Sequence, residues 1–312
     1  MTRVACLGEC MVELVEQPDG QLSRGFGGDT LNTAVYFARL GVRVDYVTAL
    51  GADPFSEEML LAWQQEGIGT HLIPRVAGRV PGLYLIQTDD AGERRFTYWR
   101  DSAPVRQLFE LPQAPEIEAS LAGYDLLYLS GITLSLFGEA GRARLFATLD
   151  RLRAAGGRVA FDTNFRLRGW PDPDVARSAY GSMLARSDIV LASVEDHALL
   201  FGDDGLSALA NRLKSAGAAE VVIKLPAPGC VVHVGGREIA VATEWVTAAV
   251  DTTAAGDSFA AAYLTARLAG APPDAAARSG HCLAGAVVCH RGAIIPRAAM
   301  PADVLAPAPE TA

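Results

Sequence analysis

Short apolar runs alternate along the chain with longer stretches in which apolar positions recur at helical spacing. The runs predict buried strands at residues 4–8, 44–50, 126–130, 159–161, 189–192 and 221–224. The helical stretches cover residues 29–40, 54–66, 139–155, 173–186 and 206–216. This alternation predicts an α/β fold in three layers, with a mostly parallel sheet between two layers of helices.

The stretch from Gly82 to Arg100 departs from this alternation. Two strand-like runs flank the turn sequence Asp89-Asp90-Ala91-Gly92, which is typical of a β-hairpin. Because a hairpin inserted in a βα series does not easily join the parallel sheet, we expect a small antiparallel β lid over one edge. We expect one domain over residues 1–300, a lid formed by about 11–27 and 72–104, and a loosely ordered tail over 301–312.

Composition and charge narrow the class of protein. Of the 312 residues, 50% are hydrophobic and 20% are charged, and the net charge is −9. A nucleic-acid or membrane surface as main partner would favour a basic face, so neither is expected. We expect a cytoplasmic protein with reduced thiols, because no apolar run resembles a signal peptide or a membrane span and the cysteines are scattered. They are Cys6, Cys10, Cys230, Cys282 and Cys289.

The strongest chemical signal is the segment Val250–Phe259, which precedes a helix of small residues. Small side chains at 254–256 let backbone amides turn inward, and the following helix start adds N–H groups and a positive dipole end. Together they predict an anion hole suited to a transferring phosphoryl group. Asp257 at the helix start is either a catalytic base or an ordinary N-cap. The chain has no GxxxxGK[ST] phosphate loop.

Three further segments carry polar residues at loops. Gly25–Asn32 places a glycine pair before a helix, with Asp29 and Asn32 about one turn apart. Asp162–Arg166 and Lys224–Gly229 each follow a predicted parallel strand, where open α/β sheets bind ligands. The alternative for each is a plain turn, a cap or a solvated loop charge.

These segments together resemble the ribokinase-like, or PfkB-type, carbohydrate kinase family. Asp251–Phe259 is similar to the family's DTxGAGD motif, with Ala254 in place of a glycine, and Gly27-Gly28 with Asn32 is similar to its N-terminal glycine motif. The resemblance runs from about residue 3 to about residue 297. Five stretches are most similar to 2-keto-3-deoxygluconate kinases: Gly8–Met11, Gly25–Asn32, Pro81–Tyr84, Tyr98–Arg100 and Arg291–Pro296.

The resemblance implies a role for each matching residue. Sugar hydroxyls would be held by Gly28, Asp29 and Asn32, and the sugar acid by Tyr84, Tyr98, Arg100 and Arg166, with the arginines near its carboxylate. Ala254, Ala255 and Gly256 would form the anion hole and Asp257 would be the base. ATP would lie near Asn164, Ser193, Lys224, Gly229, Ala255 and Gly256. In the family's nucleotide loop Pro226 replaces a glycine, and Ser193-Val194-Glu195-Asp196 replaces Asn-x-x-Glu, which leaves Asp196 to reach Mg²⁺ through water.

The implied reaction transfers the γ-phosphoryl group of ATP, with Mg²⁺, to 2-keto-3-deoxygluconate. From the residues alone, Arg94, Arg95 and Arg100 on the lid fit a carboxylate, which arginine binds with two charge-assisted bonds, or are exposed hairpin charges. Three alternatives stay open: a kinase for a neutral sugar or nucleoside, a non-catalytic sugar-binding regulator, and an oxidoreductase, which the absence of GxGxxG after the first strand disfavours. A homo-oligomer joined through the lid is compatible with the sequence.

Overall fold

The structure is a computed structural model that describes residues 2–17, 19–88, 94–202, 205–225, 229–243 and 246–305. The predicted hairpin turn at Asp89–Gly92, the nucleotide-loop residue Pro226 and residues 306–312 of the predicted tail lie outside these ranges.

Strands and helices alternate over most of the described chain. The strands are β1 (Arg3–Leu7), β2 (Met11–Glu16), β3 (Leu22–Gly27), β4 (Arg43–Val47), β5 (Leu50–Gly51), β6 (Arg75–Val76), β7 (Leu83–Thr88), β8 (Arg94–Trp99), β9 (Leu126–Ser130), β10 (Arg158–Asp162), β11 (Ile189–Ser193), β12 (Glu220–Lys224), β13 (Gly229–Val234) and β14 (Arg237–Ala242). The helices are α1 (Asp29–Arg39), α2 (Pro54–Gln65), α3 (Ala114–Leu121), α4 (Gly131–Leu136), α5 (Glu139–Ala154), α6 (Pro173–Leu184), α7 (Val194–Phe201), α8 (Gly205–Ser215), α9 (Ala255–Leu268) and α10 (Pro273–Val287).

The main sheet has the strand order β14-β13-β12-β11-β10-β9-β1-β4. All pairs from β12 to β4 are parallel, and β13 and β14 add an antiparallel edge. Successive side chains of a strand point to opposite faces, so each inner strand contributes to two cores. In β1, Val4 and Cys6 pack on the side of α1, α9 and α10, whereas Ala5 and Leu7 pack on the side of α3 to α8. The predicted three-layer α/β fold is confirmed.

The lid is a separate sheet in the order β3-β2-β7-β8. β2–β3 and β7–β8 are antiparallel hairpins, and they meet through the parallel pair β2–β7. This central parallel pair was not expected, because the sequence showed only local hairpin signals. Met11, Tyr84 and Ile86 form a small apolar cluster of the lid. Within the described ranges no helix is long and apolar enough to span a membrane.

Candidate active site

A cavity of about 400 Å³ lies between the lid and the carboxyl ends of the parallel strands. Thirteen of the predicted site residues line it: Gly28, Asp29, Asn32, Tyr84, Tyr98, Asn164, Arg166, Ser193, Asp196, Lys224, Ala254, Gly256 and Asp257. Arg100, Ala255 and Gly229 were predicted but do not line it. Lining residues to which the sequence analysis gave no role are Met11, Glu13, Gly27, Ile86, Phe96, Ile132, Asp162, Thr252 and Thr253.

The loop before α9 is held in place by Asp251. One carboxylate oxygen of this buried residue accepts from Thr253 N (2.9 Å) and the other from Gly292 N (2.9 Å). The chain then turns at Ala254, whose φ of 60° lies in the left-handed region. This conformation favours glycine, which explains why the similar family motif has glycine at this position.

The start of α9 presents free donors to the cavity. The N–H of Ala255 donates to Thr252 O (3.2 Å). Among the described residues, by contrast, the N–H groups of Gly256 and Asp257 have no hydrogen-bond acceptor. The sequence predicts that amides of residues 254–257 bind an anion, and in the described part of the structure the N–H groups of 256 and 257 are the ones left without an acceptor.

Asp257 faces the cavity from the first turn of α9. Its Oδ2 accepts a hydrogen bond from Asn32 Nδ2 (2.8 Å), which fixes the carboxylate across from α1. Burial raises the pKa of Asp257 well above its usual range, and the nearby Asp29 and Asp162 carboxylates raise it further. A carboxylate with a raised pKa is a stronger proton acceptor, which is the property that a general base needs.

Lys224 balances part of this negative charge. Its ammonium lies 3.1 Å from Asp162 Oδ2, and a side chain on Gly256 would come within 3.3 Å of the same nitrogen. Burial alone would lower the pKa of Lys224, but the nearby carboxylates of Asp162, Asp196 and Asp257 together outweigh it, so the net shift in pKa is upward and the ammonium stays charged. A fixed cation beside the free amides of α9 fits a phosphate group.

The glycine pair before α1 serves packing. A side chain on Gly27 would overlap the Tyr84 hydroxyl, and one on Gly28 would overlap the Glu9 carbonyl. Next to them, Asp29 accepts from Asn164 Nδ2 (2.7 Å). The loop after β10 is therefore linked to α1 at the side of the cavity where the sequence predicts sugar binding.

The lid contributes an aromatic wall. The rings of Tyr84, Phe96 and Tyr98 have centroids 5.8 to 6.3 Å apart. The Tyr84 hydroxyl donates to Glu13 Oε2 (2.5 Å). Arg100 lies beside this wall and forms an ion pair with the buried Glu9. The prediction that Arg100 contacts a substrate carboxylate therefore stays a prediction.

Of the residues predicted near ATP or Mg²⁺, Ser193 and Asp196 line the cavity and Gly229 does not. The Ser193 hydroxyl accepts from Asp196 N (3.1 Å) and so caps α7. Asp196 accepts from Thr163 Oγ1 (3.2 Å) and lies 3.4 Å from Arg166 Nη1. Gly229 begins β13 with a φ of 134°, away from the cavity lining. Within the described ranges, no group of three or more His, Cys, Asp and Glu side chains could hold a metal ion.

Residues 1–300 match the family described as pfkB family carbohydrate kinase, so the chain belongs to that family. It is 47% identical over 306 residues to a 2-dehydro-3-deoxygluconokinase of Dickeya dadantii, covering 96% of this chain and 98% of that protein. A protein of the same name from Escherichia coli K12 is 44% identical over 307 residues, with coverage of 96% and 99%.

Two further relatives are fructokinases. One from Klebsiella pneumoniae is 32% identical over 310 residues, covering 96% of this chain and 95% of that protein. The crystal structure of another, from Xylella fastidiosa with bound ATP, matches with a TM-score of 0.82 at 26% identity and 97% coverage of both chains. The expected family, the ribokinase-like fold and the carbohydrate kinase class are confirmed.

Proposed function

We propose that this protein transfers the γ-phosphoryl group of ATP to a primary hydroxyl of 2-keto-3-deoxygluconate. The product is 2-keto-3-deoxy-6-phosphogluconate. The observation that carries the proposal is the position of Asp257, which faces one cavity together with the free amides of α9 and the ammonium of Lys224. The relatives at 44–47% identity support the sugar acid, since both are named for this substrate.

Asp257 acts as the base in this proposal. As the new O–P bond forms, its carboxylate accepts the proton of the attacking hydroxyl, while Asn32 holds it in orientation. The N–H groups of Gly256 and Asp257, with the Lys224 ammonium, stabilise negative charge on the transferred group. The lid excludes water that would otherwise hydrolyse ATP.

The residues near Asp196 fit magnesium. Carboxylate and hydroxyl oxygens of Asp196, Thr163 and Asp162 lie on this side of the cavity, and Mg²⁺ prefers oxygen ligands. Asp196 would hold the ion through water, in agreement with the several waters that a bound Mg²⁺ usually keeps. The ion would supply charge neutralisation for the ATP phosphates.

A neutral sugar is the second candidate. On the lid, the carboxylate of Glu13 and the hydroxyl of Tyr84 can accept hydrogen bonds from a ligand. Arg100 already forms an ion pair with Glu9. Both features suit hydroxyl groups, and the Klebsiella relative is named a fructokinase. Arg166 lines the cavity, however, and its side chain is 60% exposed, so it is available to a carboxylate.

A coupled ADP-release screen over sugars and sugar acids tests the proposal. With ATP and Mg²⁺, we expect turnover with 2-keto-3-deoxygluconate and a product whose ³¹P signal is split by a CH₂ group. Turnover confined to neutral sugars would refute the sugar acid. Absence of ATP turnover with every compound would instead favour a non-catalytic sugar-binding protein.

A further inference from the structure

Three sequence segments without a shared role so far meet at one point beneath the lid. Gly8–Met11 leads into β2, Pro81–Tyr84 leads into β7, and Tyr98–Arg100 ends β8. Glu9 and Arg100 form an ion pair there. A side chain on Gly82 would come within 3.0 Å of Glu9 Oε1, Arg100 Cβ and Met11 Cγ. Glycine at position 82 therefore leaves room for the two charged side chains to meet.

This pair is poorly explained as a stabilising device. Glu9 is 3% exposed, and within the described residues its Oε2 contacts Arg100 Nη2, whereas its Oε1 has no hydrogen-bond partner. Nε of Arg100 is likewise buried and has no hydrogen-bond partner among these residues. Buried ion pairs with incomplete hydrogen bonding often stabilise a fold less than apolar residues of the same size would. Buried polar groups of this kind call for a functional explanation.

Several nearby groups act on the pKa of Glu9. Burial raises the pKa of Glu9, whereas Arg100 and, to a smaller extent, Arg106 lower it, and Asp29 raises it slightly. Of the two arginines, Arg100 has the larger effect on this carboxyl group. The carboxyl group thus depends mainly on the Arg100 guanidinium for its charge balance.

Arg100 does not itself line the cavity, but it lies against a lid residue that does. Its guanidinium carbon lies 5.9 Å from the centre of the Tyr98 ring, and Tyr98 and Met11 both line the cavity. The side chain is 20% exposed, and this exposed part excludes Nε and Nη2. The remaining donors of the guanidinium are therefore the ones that a ligand can reach.

We propose that Glu9 is a positioning residue that holds the Arg100 guanidinium so that its remaining donors face the sugar cavity. This role rests on the proposed sugar acid as substrate. A free arginine side chain must lose rotamer freedom when it binds a carboxylate, and an arginine already held by Glu9 loses less. Glu9 thereby raises affinity for the sugar acid without contacting it.

A double-mutant cycle on KM tests this role. Glu9→Gln keeps the size of the side chain and removes its charge. We expect it to raise KM for the sugar acid roughly tenfold, with kcat and the KM for ATP within about twofold of wild type. In Glu9→Gln/Arg100→Ala, KM should rise no further than in Arg100→Ala alone. An unchanged KM in Glu9→Gln, or effects of the two changes that multiply, would overturn the positioning role.

Glu118→Gln is the matched control. Glu118 is also a buried glutamate paired with arginines, Arg144 and Arg151, but it does not line the cavity, and neither of these ion pairs involves Glu9 or Arg100. We expect this variant to lose stability and keep the wild-type KM; a raised KM here would show that the Glu9 effect is a general consequence of instability and overturn the inference.

If Glu9→Gln does not fold, Arg100→Lys provides a second test. Arg100→Lys keeps the charge but lacks the fork that can contact Glu9 and substrate together. We expect a raised KM for the acid, and a wild-type KM would overturn the inference. A preference of the wild-type enzyme for neutral sugars would refute the proposed function itself, whereas a preference for the acid with an unchanged KM in Glu9→Gln refutes only the role of Glu9.

Discussion

Replacement of Asp257 by asparagine should stabilise the fold and abolish most of the turnover. Asparagine keeps the size of the side chain, and its carbonyl oxygen can still accept from Asn32, which now donates to Asp257 over 2.8 Å. The variant removes a proton acceptor and a negative charge beside Asp29 and Asp162. Stability and activity should therefore change in opposite directions.

The stability effect follows from the raised pKa of Asp257, whose reference value is 3.8. In the folded protein the carboxyl group keeps its proton to higher pH than in the unfolded chain. The wild type therefore loses stability as the pH rises from about 3.8 through the folded pKa, by about 1.4 kcal/mol for each pH unit that separates the unfolded and folded pKa values. Asp257→Asn does not lose this stability, because asparagine has no carboxyl group to titrate. We expect its Tm to exceed that of wild type by roughly 2 °C or more at pH 8, and the gain to vanish towards pH 4.

The kinetic effect follows from the lost proton acceptor, and kcat should fall by roughly 10²–10⁴. Tm across pH and kcat at pH 8 are the two measurements. Asp274→Asn is a control of opposite sign, because Arg278 donates to Asp274 (2.8 Å) and lowers its pKa. That variant should show no gain in Tm and normal kcat. Turnover of Asp257→Asn within about threefold of wild type, with no gain in Tm at pH 8, would refute the reasoning.

Three further predictions follow from single contacts. Arg100→Ala should lower kcat/KM for the sugar acid by roughly tenfold to a hundredfold, because one charge-assisted pair is lost, while the KM for ATP is unchanged in steady-state kinetics. Ala254→Gly should raise the free energy of unfolding by about 0.5–1 kcal/mol in urea titrations, since relief of the left-handed φ of 60° exceeds the extra entropy of the unfolded chain. Asp196→Asn should raise the Mg²⁺ concentration for half-maximal rate by about tenfold or more, and an unchanged Mg²⁺ titration would remove Asp196 from the metal site.

Much of the fold was predictable because its signals are local. The helix predicted at 29–40 is α1 at Asp29–Arg39, and the strand predicted at 126–130 is β9. The edge strands β13 and β14 were missed, although the alternating residues around Gly235-Gly236 are a hairpin signal that could have indicated them. The parallel join of β2 and β7 depends on contacts between distant segments, which local patterns do not contain.

Site residues that belong to a local sequence motif could be predicted. The ion-pair partners of charged site residues could not. Small residues before a helix start indicated the position of Asp257. The partners of charged residues were missed: Asp162 for Lys224, and Glu9 for Arg100. Each pair joins residues far apart in sequence, so only the fold shows that the two charges meet.

The ratio of kcat/KM for 2-keto-3-deoxygluconate to that for fructose, measured with the same enzyme and the same ADP-release assay, tests the proposed function most directly. One charge-assisted contact to the carboxylate predicts a ratio of roughly ten to a hundred or more in favour of the acid. A ratio near one, or one that favours fructose, would contradict the sugar acid as substrate.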